Sequence, residues 1–414
     1  MTTATDVPDA ATDAVIVATA RSPIGRAFKG SLVDMRPDDM AAQIVSKLLD
    51  KVPGLPHDEI EDLIMGTGSP GGEQGFNIGR ATAVLAGLEN VPGTTVNRYC
   101  SSSLQTIRMA AHAVRAGEGD AFIAAGVECV SRYTKGNADS LPDTTNPLFQ
   151  APGARTKVRA EGGQADWAPP AGMPDLYISM GETAENVAEL KGVSREAMDE
   201  YGVMSQNKAE AAIERGFFEL DITPLELPDG TVVSADDGPR PGVTLDGVSQ
   251  LKPVFRPDGR VTAGNACPLN DGAAAVVVMS RKRAEELGIK PLARVLSSAV
   301  TGLNPEIMGL GPVEACKRAL ARAGMKIGDI DLVEINEAFA AQVIPSADEL
   351  GIDMVDQLNV NGGAIALGHP FGQTGARIMT TLLHGLEDSD KTIGLESMCV
   401  GGGQGMAMIV ERLS

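Results

Sequence analysis

The first and last thirds of this chain run through the same series of segments. "DEIEDLIMGT" (58–67) has a counterpart in "GDIDLVEINEAF" (328–339), each following a helix-forming run. "TTVNRYCSSSLQTIRMAAHAV" has one in "LNVNGGAIALGHPFGQTGARIMTTLLHGL": a β-rich run, a polar or glycine-rich turn, then apolar residues at helical spacing. Each copy closes on another β-rich run, 120–126 and 391–398. Strands alternating with helices of these lengths make an α/β fold. The letters diverge but the order is kept, which predicts an internally duplicated unit. Duplication would bring the turns of the two copies together near a pseudo-twofold axis, and with them Cys100 and the second copy's glycines. The spacing further predicts a strand at Val15–Val17 stopped by Pro23 and Gly25, a helix over 37–49, and a helix from Ser102 to Ala116 closed by Gly117.

Between the copies the character changes. From Ser131 to Val261 the chain is rich in Gly, Pro, Asp and Asn, with an irregular stretch too long for an ordinary connector and then helices at 183–190 and 195–215. This reads as an inserted loop domain (134–261) covering a site, set between an N-terminal half (1–133 with 262–285) and a C-terminal half (286–414).

Composition narrows the function. A formal charge of −20 opposes binding to nucleic acid or to an anionic membrane, though local basic residues can still hold a small anion. Aromatics are only 3% while glycines number 48, so the core must be aliphatic and closely packed. Five scattered cysteines without a C-x-x-C pair, and four histidines, predict free thiols in a reducing compartment and no metal site. No basic-then-apolar leader is visible in the opening residues, and no apolar run is long enough to span a bilayer, so a cytoplasmic location is expected.

Four residues carry candidate chemistry. Cys100 lies between a strand and a helix start, where N–H groups and the macrodipole should lower its pKa; a buried, inert thiol is the alternative. His369 sits among Gly362, Gly363, Gly368, Gly372 and Gly375, either as a base or as a turn residue satisfied by backbone. Asn336 ends a strand, with an N-cap for a helix beginning near Glu337 as its bland reading. Cys399 precedes Gly401, Gly402 and Gly403, which are either a hairpin turn or a close approach to a ligand.

Taken together these stretches resemble the thiolases. "VNRYCSSSLQ" is similar to that family's nucleophile motif, "NEAF" to its asparagine motif, "GGAIALGHP" to its histidine motif and "CVGGG" to its C-terminal cysteine motif. "TAGNACPLNDGAAAVVVMS" and "MGLGP" match too, in the expected order, so the resemblance runs from about residue 13 to 412. It implies a five-layer αβαβα fold and an acyl-CoA C-acyltransferase that cleaves 3-ketoacyl-CoA with CoA, or condenses two acyl-CoA molecules. Coenzyme A would be a substrate, with no bound cofactor or metal.

Carried over, Cys100 becomes the nucleophile, His369 its activator, and Asn336 the holder of an oxyanion-hole water. Cys399 becomes the acid/base at the α-carbon, and the Gly401 and Cys100 N–H groups a second oxyanion hole. Met180, Arg240, Phe255, Ala263, Cys267, Ala338 and Phe339 would lie along CoA. Cys267 departs from the family's usual serine, and Ser179 replaces the histidine of acetoacetyl-CoA-forming members, which points to the degradative branch. Phe371 and Gln373 alter the loop after His369, and Cys129 reads as a small packed residue. A biosynthetic acetoacetyl-CoA thiolase and a non-catalytic CoA-ester binder are the alternatives. A ketoacyl synthase is disfavoured because Cys399 stands where a second histidine is needed. A homodimer or homotetramer is expected, and a β-oxidation enzyme is a possible partner.

Overall fold

The computed structural model describes residues 9–135 and 144–414. The leader reading of residues 1–8 and the part of the irregular stretch at 136–143 lie outside them.

Nine strands form the path of a ten-stranded sheet: β1 (Ala14–Arg21), β2 (Asp62–Gly66), β3 (Gly93–Val96), β4 (Ala121–Cys129), β5 (Asn270–Ser280), β6 (Ala293–Gly302), β7 (Leu332–Ile335), β8 (Ile393–Val400) and β9 (Gln404–Arg412). The short strand Gly25–Arg26 pairs with β5 beside it. The order is β3-β2-β4-β5-β1-β6-β9-β8-β7. Outward from the β1–β6 junction, both halves run through the same pairings. β1 and β6 are antiparallel to β5 and β9, and those are antiparallel to β4 and β8. Next come parallel β2 and β7. The place of β3 is taken in the second half by a parallel bridge between Val333 and Leu358. The duplicated order read from the sequence is therefore the order of the sheet. Within the sheet, the described halves pair where Val15 and Ile16 meet Arg294 and Ala293.

Helices complete the layers. α1 (Pro37–Asp50) covers one face of the first half-sheet, burying Met40, Ile44, Val45 and Leu48. α2 (Ser102–Ala116) and its counterpart α8 (Thr374–Asp388) pack together, in one core cluster that takes side chains from both half-sheets. α6 (Gly311–Ala323) and α7 (Ala340–Leu350) cover the far face of the second half. The resulting layers are helix, sheet, helix pair, sheet, helix. In the insert, α3 (Gln150–Ala160), α4 (Met180–Lys191) and α5 (Arg195–Glu214) follow one another. Among the described residues, no helix is long and apolar enough to cross a membrane.

The central helix pair allows no slack. A Cβ on Gly375 would stand 2.3 Å from the Leu104 backbone nitrogen, and one on Gly66 would stand 2.5 Å from the Ser102 carbonyl carbon. These close approaches carry the turn before α2 and the loop before α8 to one place.

Candidate active site

Past β3 the chain makes a single 3-10 turn, Tyr99–Ser101, before α2 begins at Ser102. Ser102 fixes that turn by donating its hydroxyl to the Tyr99 carbonyl (2.7 Å) and accepting the Arg98 N–H (2.9 Å). Cys100 rides on the turn, 7% exposed. Its thiol is pushed up to about 12, chiefly by burial, and the Glu128 carboxylate adds to the rise. The backbone N–H groups of Gly401 and of Cys100 itself act on the sulfur in the opposite sense. The expected lowering of the Cys100 pKa is thus overturned. The residue lies in a turn ahead of the helix, and desolvation outweighs the N–H groups that reach it.

His369 is buried in the loop before α8. Its backbone N–H donates to Asn270 Oδ1 (2.9 Å), and its Nδ1 lies 2.6 Å from Thr374 Oγ1. Thr374 donates its only hydrogen to the Pro370 carbonyl (2.7 Å), so its oxygen accepts from Nδ1–H and leaves Nε2 bare. Burial and the charge of Arg377 push the imidazole down to about 3, so the ring rests neutral. A neutral thiol beside a neutral imidazole is the resting state.

Asn336 Nδ2 lies 3.2 Å from that bare Nε2, and Asn336 Oδ1 is buried without a partner. The helix-capping reading of Asn336 fails. α7 starts at Ala340 because Ala338 and Phe339 stay extended, bound to the 262–268 segment through Cys267 N–H to Ala338 O (3.0 Å) and an Ala266–Phe339 bridge. The neighbouring Glu337 locks the asparagine and histidine motifs together. Its buried carboxylate accepts from Tyr201, Ser205, Asn359 and the Ile365 N–H at 2.6–3.1 Å, and a Cβ on Gly363 would stand 2.2 Å from its Cδ.

The third piece is a hairpin. Val400 pairs with Gln404, leaving Gly401–Gly403 as the connection, with Gly402 and Gly403 at φ 74° and 82°. The turn reading of the triple glycine holds as architecture, and the same turn aims the Gly401 N–H at Cys100. Cys399 is fully buried at the end of β8. Its thiol is pushed well up by burial, with Cys100 and Cys267 as the charges that reinforce the shift.

A cavity of about 440 Å³ has Cys100 and His369 in its wall. All seven residues expected along CoA line it: Met180, Arg240, Phe255, Ala263, Cys267, Ala338 and Phe339. Asn336, Cys399 and Gly401 do not line it. Arg26 joins the lining, and neither it nor Arg240 has an ion-pair partner among the described residues, so two free cations serve an otherwise acidic chain. Phe371 also lines it, its ring 5.1 Å from His369 and nearly perpendicular. Gln373 instead holds the Ala273 carbonyl (3.0 Å), a structural role, and Cys129 is packed beneath the Met35 carbonyl. Ser179 faces a neighbouring cavity. Among the described residues, no group of three or more His, Cys, Asp or Glu is placed to hold a metal.

Sequence reasoning did not find Thr374, Arg26 or Glu337. Only the position of Thr374 one turn beyond His369, at a helix start, could have signalled its role.

The profile of the thiolase N-terminal domain matches residues 14–282, and that of the thiolase C-terminal domain matches 289–412. The chain belongs to the thiolase family. Membership makes it an acyl-CoA C-acyltransferase with coenzyme A as substrate. This thiolase is 44% identical to a 3-ketoacyl-CoA thiolase of Bacillus subtilis, over 96% of this chain and 99% of the relative. It is also 44% identical to an acetyl-CoA acetyltransferase of Cupriavidus necator, over 97% and 100%. The crystal structure of the Bacillus anthracis acetyl-CoA acetyltransferase superposes with a TM-score of 0.83 at 37% identity, covering 97% of this chain and 99% of that one.

Proposed function

We propose that this thiolase works in the degradative direction, cleaving 3-ketoacyl-CoA with CoA to acetyl-CoA and a shortened acyl-CoA. The observation that carries the site assignment is that Cys100 and His369 share the wall of the cavity lined by all the expected CoA contacts. His369 Nε2 takes the Cys100 proton as the sulfur attacks the 3-keto carbon. The C2–C3 bond breaks, the acyl group stays on Cys100 as a thioester, and the acetyl-CoA enolate leaves. Cys399 protonates that enolate, whose oxygen is held by His369 Nε2–H and an Asn336-bound water. The Cys399 thiolate left behind takes the proton of an incoming CoA thiol, whose sulfur attacks the thioester while its oxygen is stabilised by the Cys100 and Gly401 N–H groups; the bond to Cys100 breaks, and Cys100 takes its proton back from His369. Each negative charge thus develops against a donor already in place, and two easier steps replace one.

Ser179 in place of histidine supports degradation. The Cupriavidus necator relative, an acetyl-CoA acetyltransferase, supports a second reading, condensation of two acetyl-CoA. The domain division is 1–133 with 262–285, 134–261 and 286–414; its last boundary is supported by family profiles that part between 282 and 289. A homodimer or tetramer is consistent with β3, which ends the sheet on an open edge, and with fully exposed Phe76 nearby in the chain. The free cysteines support a cytoplasmic location.

Two measurements test the reading. A 3-ketoacyl-CoA given without free CoA should leave an acyl adduct on Cys100 in the mass spectrum; its absence would end the nucleophile assignment. A chain-length panel in the thiolytic direction should show turnover beyond four carbons; activity confined to acetoacetyl-CoA would favour the biosynthetic reading.

A further inference from the structure

The turn bearing Cys100 and the turn bearing Gly401 belong to different copies of the duplicated unit, and two connections hold them in register. One is polar. Arg98 donates to Gln404 Oε1 (2.8 Å), and the Gln404 amide donates to the Gly401 carbonyl (3.3 Å). The other is Tyr99. Cβ atoms built on Gly401 and Gly402 would meet its ring at 3.3 Å and 3.6 Å, so the ring flanks the glycine turn at the distance a side chain there would touch it.

Tyr99 occupies this place at φ +45°, a left-handed conformation that bulky residues rarely adopt. Its N–H is held there by Asn97 Oδ1 (2.7 Å) and its carbonyl by Ser102 Oγ (2.7 Å). The left-handed turn throws the ring away from the cavity, whose wall does not include it, and onto the outer side of Gly401. The phenol hydroxyl has no hydrogen-bond partner among the described residues. What Tyr99 supplies is therefore the flat body of the ring, directly before Cys100. Strained conformations persist where surrounding structure over-determines them, and here Asn97 and Ser102 do so.

We propose that Tyr99 is a positioning residue whose ring, seated on Gly401 and Gly402, sets where the Gly401 N–H stands relative to the Cys100 sulfur. The proposal rests on the reading of Cys100 as the acyl-bearing nucleophile. An oxyanion donor works only at the right distance, and small displacements are costly in rate. Glycines at 401 and 402 give the ring a bare surface, and the ring in turn gives that turn a fixed depth.

The test uses full-length wild type with Tyr99→Phe, Tyr99→Leu and Tyr99→Ala. It measures single-turnover acylation of Cys100 by a 3-ketoacyl-CoA, steady-state kcat and KM for CoA, and the pH profile of Cys100 alkylation by iodoacetamide. Tyr99→Phe should stay within about twofold of wild type, and Tyr99→Ala should lose about 10²-fold in kcat while KM for CoA moves less than about threefold. The alkylation profile of Tyr99→Ala should move to higher pH as the Gly401 N–H leaves the sulfur. Tyr99→Leu keeps apolar bulk without the flat face and should fold but lose about tenfold in kcat. Wild-type kcat in Tyr99→Ala or Tyr99→Leu, a loss confined to KM, or a Tyr99→Phe variant as slow as Tyr99→Ala would each overturn the proposal. If wild type itself leaves no acyl group on Cys100, the nucleophile reading fails; a wild-type adduct with undiminished acylation in Tyr99→Ala sinks only the role of the ring.

Discussion

At the scale of single residues, the candidate active site holds two buried neutral groups, the Cys100 thiol and the His369 imidazole. Burial holds Cys100 as a thiol and His369 as an imidazole, and the tautomer of the ring decides whether the proton has somewhere to go. Thr374 sets that tautomer. Thr374→Val keeps the shape but cannot accept from Nδ1–H, so kcat should fall about 10–10²-fold with KM for CoA little changed, and Thr374→Ser should restore it. Steady-state kinetics on the three proteins checks this; a Thr374→Val enzyme at full kcat would show that the loop alone orients the ring. Cys100, His369, Asn336 and Cys399 were legible in the sequence because each sits in a distinctive motif. Thr374 was not, because its role depends on the 369–374 loop bending back on itself, which "HPFGQT" does not announce.

At the scale of elements, the first of the two duplicated helices was read almost to the residue. α2 runs from Ser102 to Ala116, and Gly117 closes it at φ +73° because apolar spacing and a C-terminal glycine are local signals. The start of α7 was misplaced for the opposite reason. Ala338 and Phe339 are drawn into extended pairing by Ala266 and Cys267, distant in sequence, and long-range pairing overrides local helix preference. The contact between α2 and α8 is the element-scale requirement most exposed to mutation. Gly375→Val would drive a side chain into the Leu104 backbone and should cost about 1–3 kcal/mol, read as a lower Tm. An unchanged Tm would mean that α8 can shift without disturbing the core.

At the scale of the whole molecule, the sequence showed the order of the two copies but not their junction, since two residues of β1 meeting β6 leave no pattern to read. Nor did it show the polar interior of the second half. Glu334 and Glu396 face each other across β7 and β8, both buried, and Arg377 is the cation that acts on both. Burial pushes Glu334 up to about 8 from an ordinary 4.5, and Glu396 moves the same way. The stability contributed by the Glu334 proton is fully present below pH 4.5 and is lost as pH rises through about 8. His369 has the opposite sign: its contribution is present above 6.5 and is lost as pH falls toward 3. Between pH 6.5 and 8 only the carboxyl slope remains. Wild type should lose stability across that window, and Glu334→Gln should be flatter by roughly 1.4 kcal/mol per pH unit, measured as urea midpoints against pH. Parallel curves would mean that Glu334 is ionised in the native state.

The sheet order also sets a schedule for the growing polypeptide. Cys100 is made early, but the Gly401 N–H that meets it belongs to a hairpin whose second strand lies inside the sheet, between β6 and β8. On the ribosome the first half can gather its helices and strands while its thiol has no partner from the second copy. Only when residues 404–412 slide between strands already made does the Gly401 turn close over Cys100. The backbone donor that meets Cys100 is thus made some three hundred residues after it, and reaches it only through the pairing of β9 with β8.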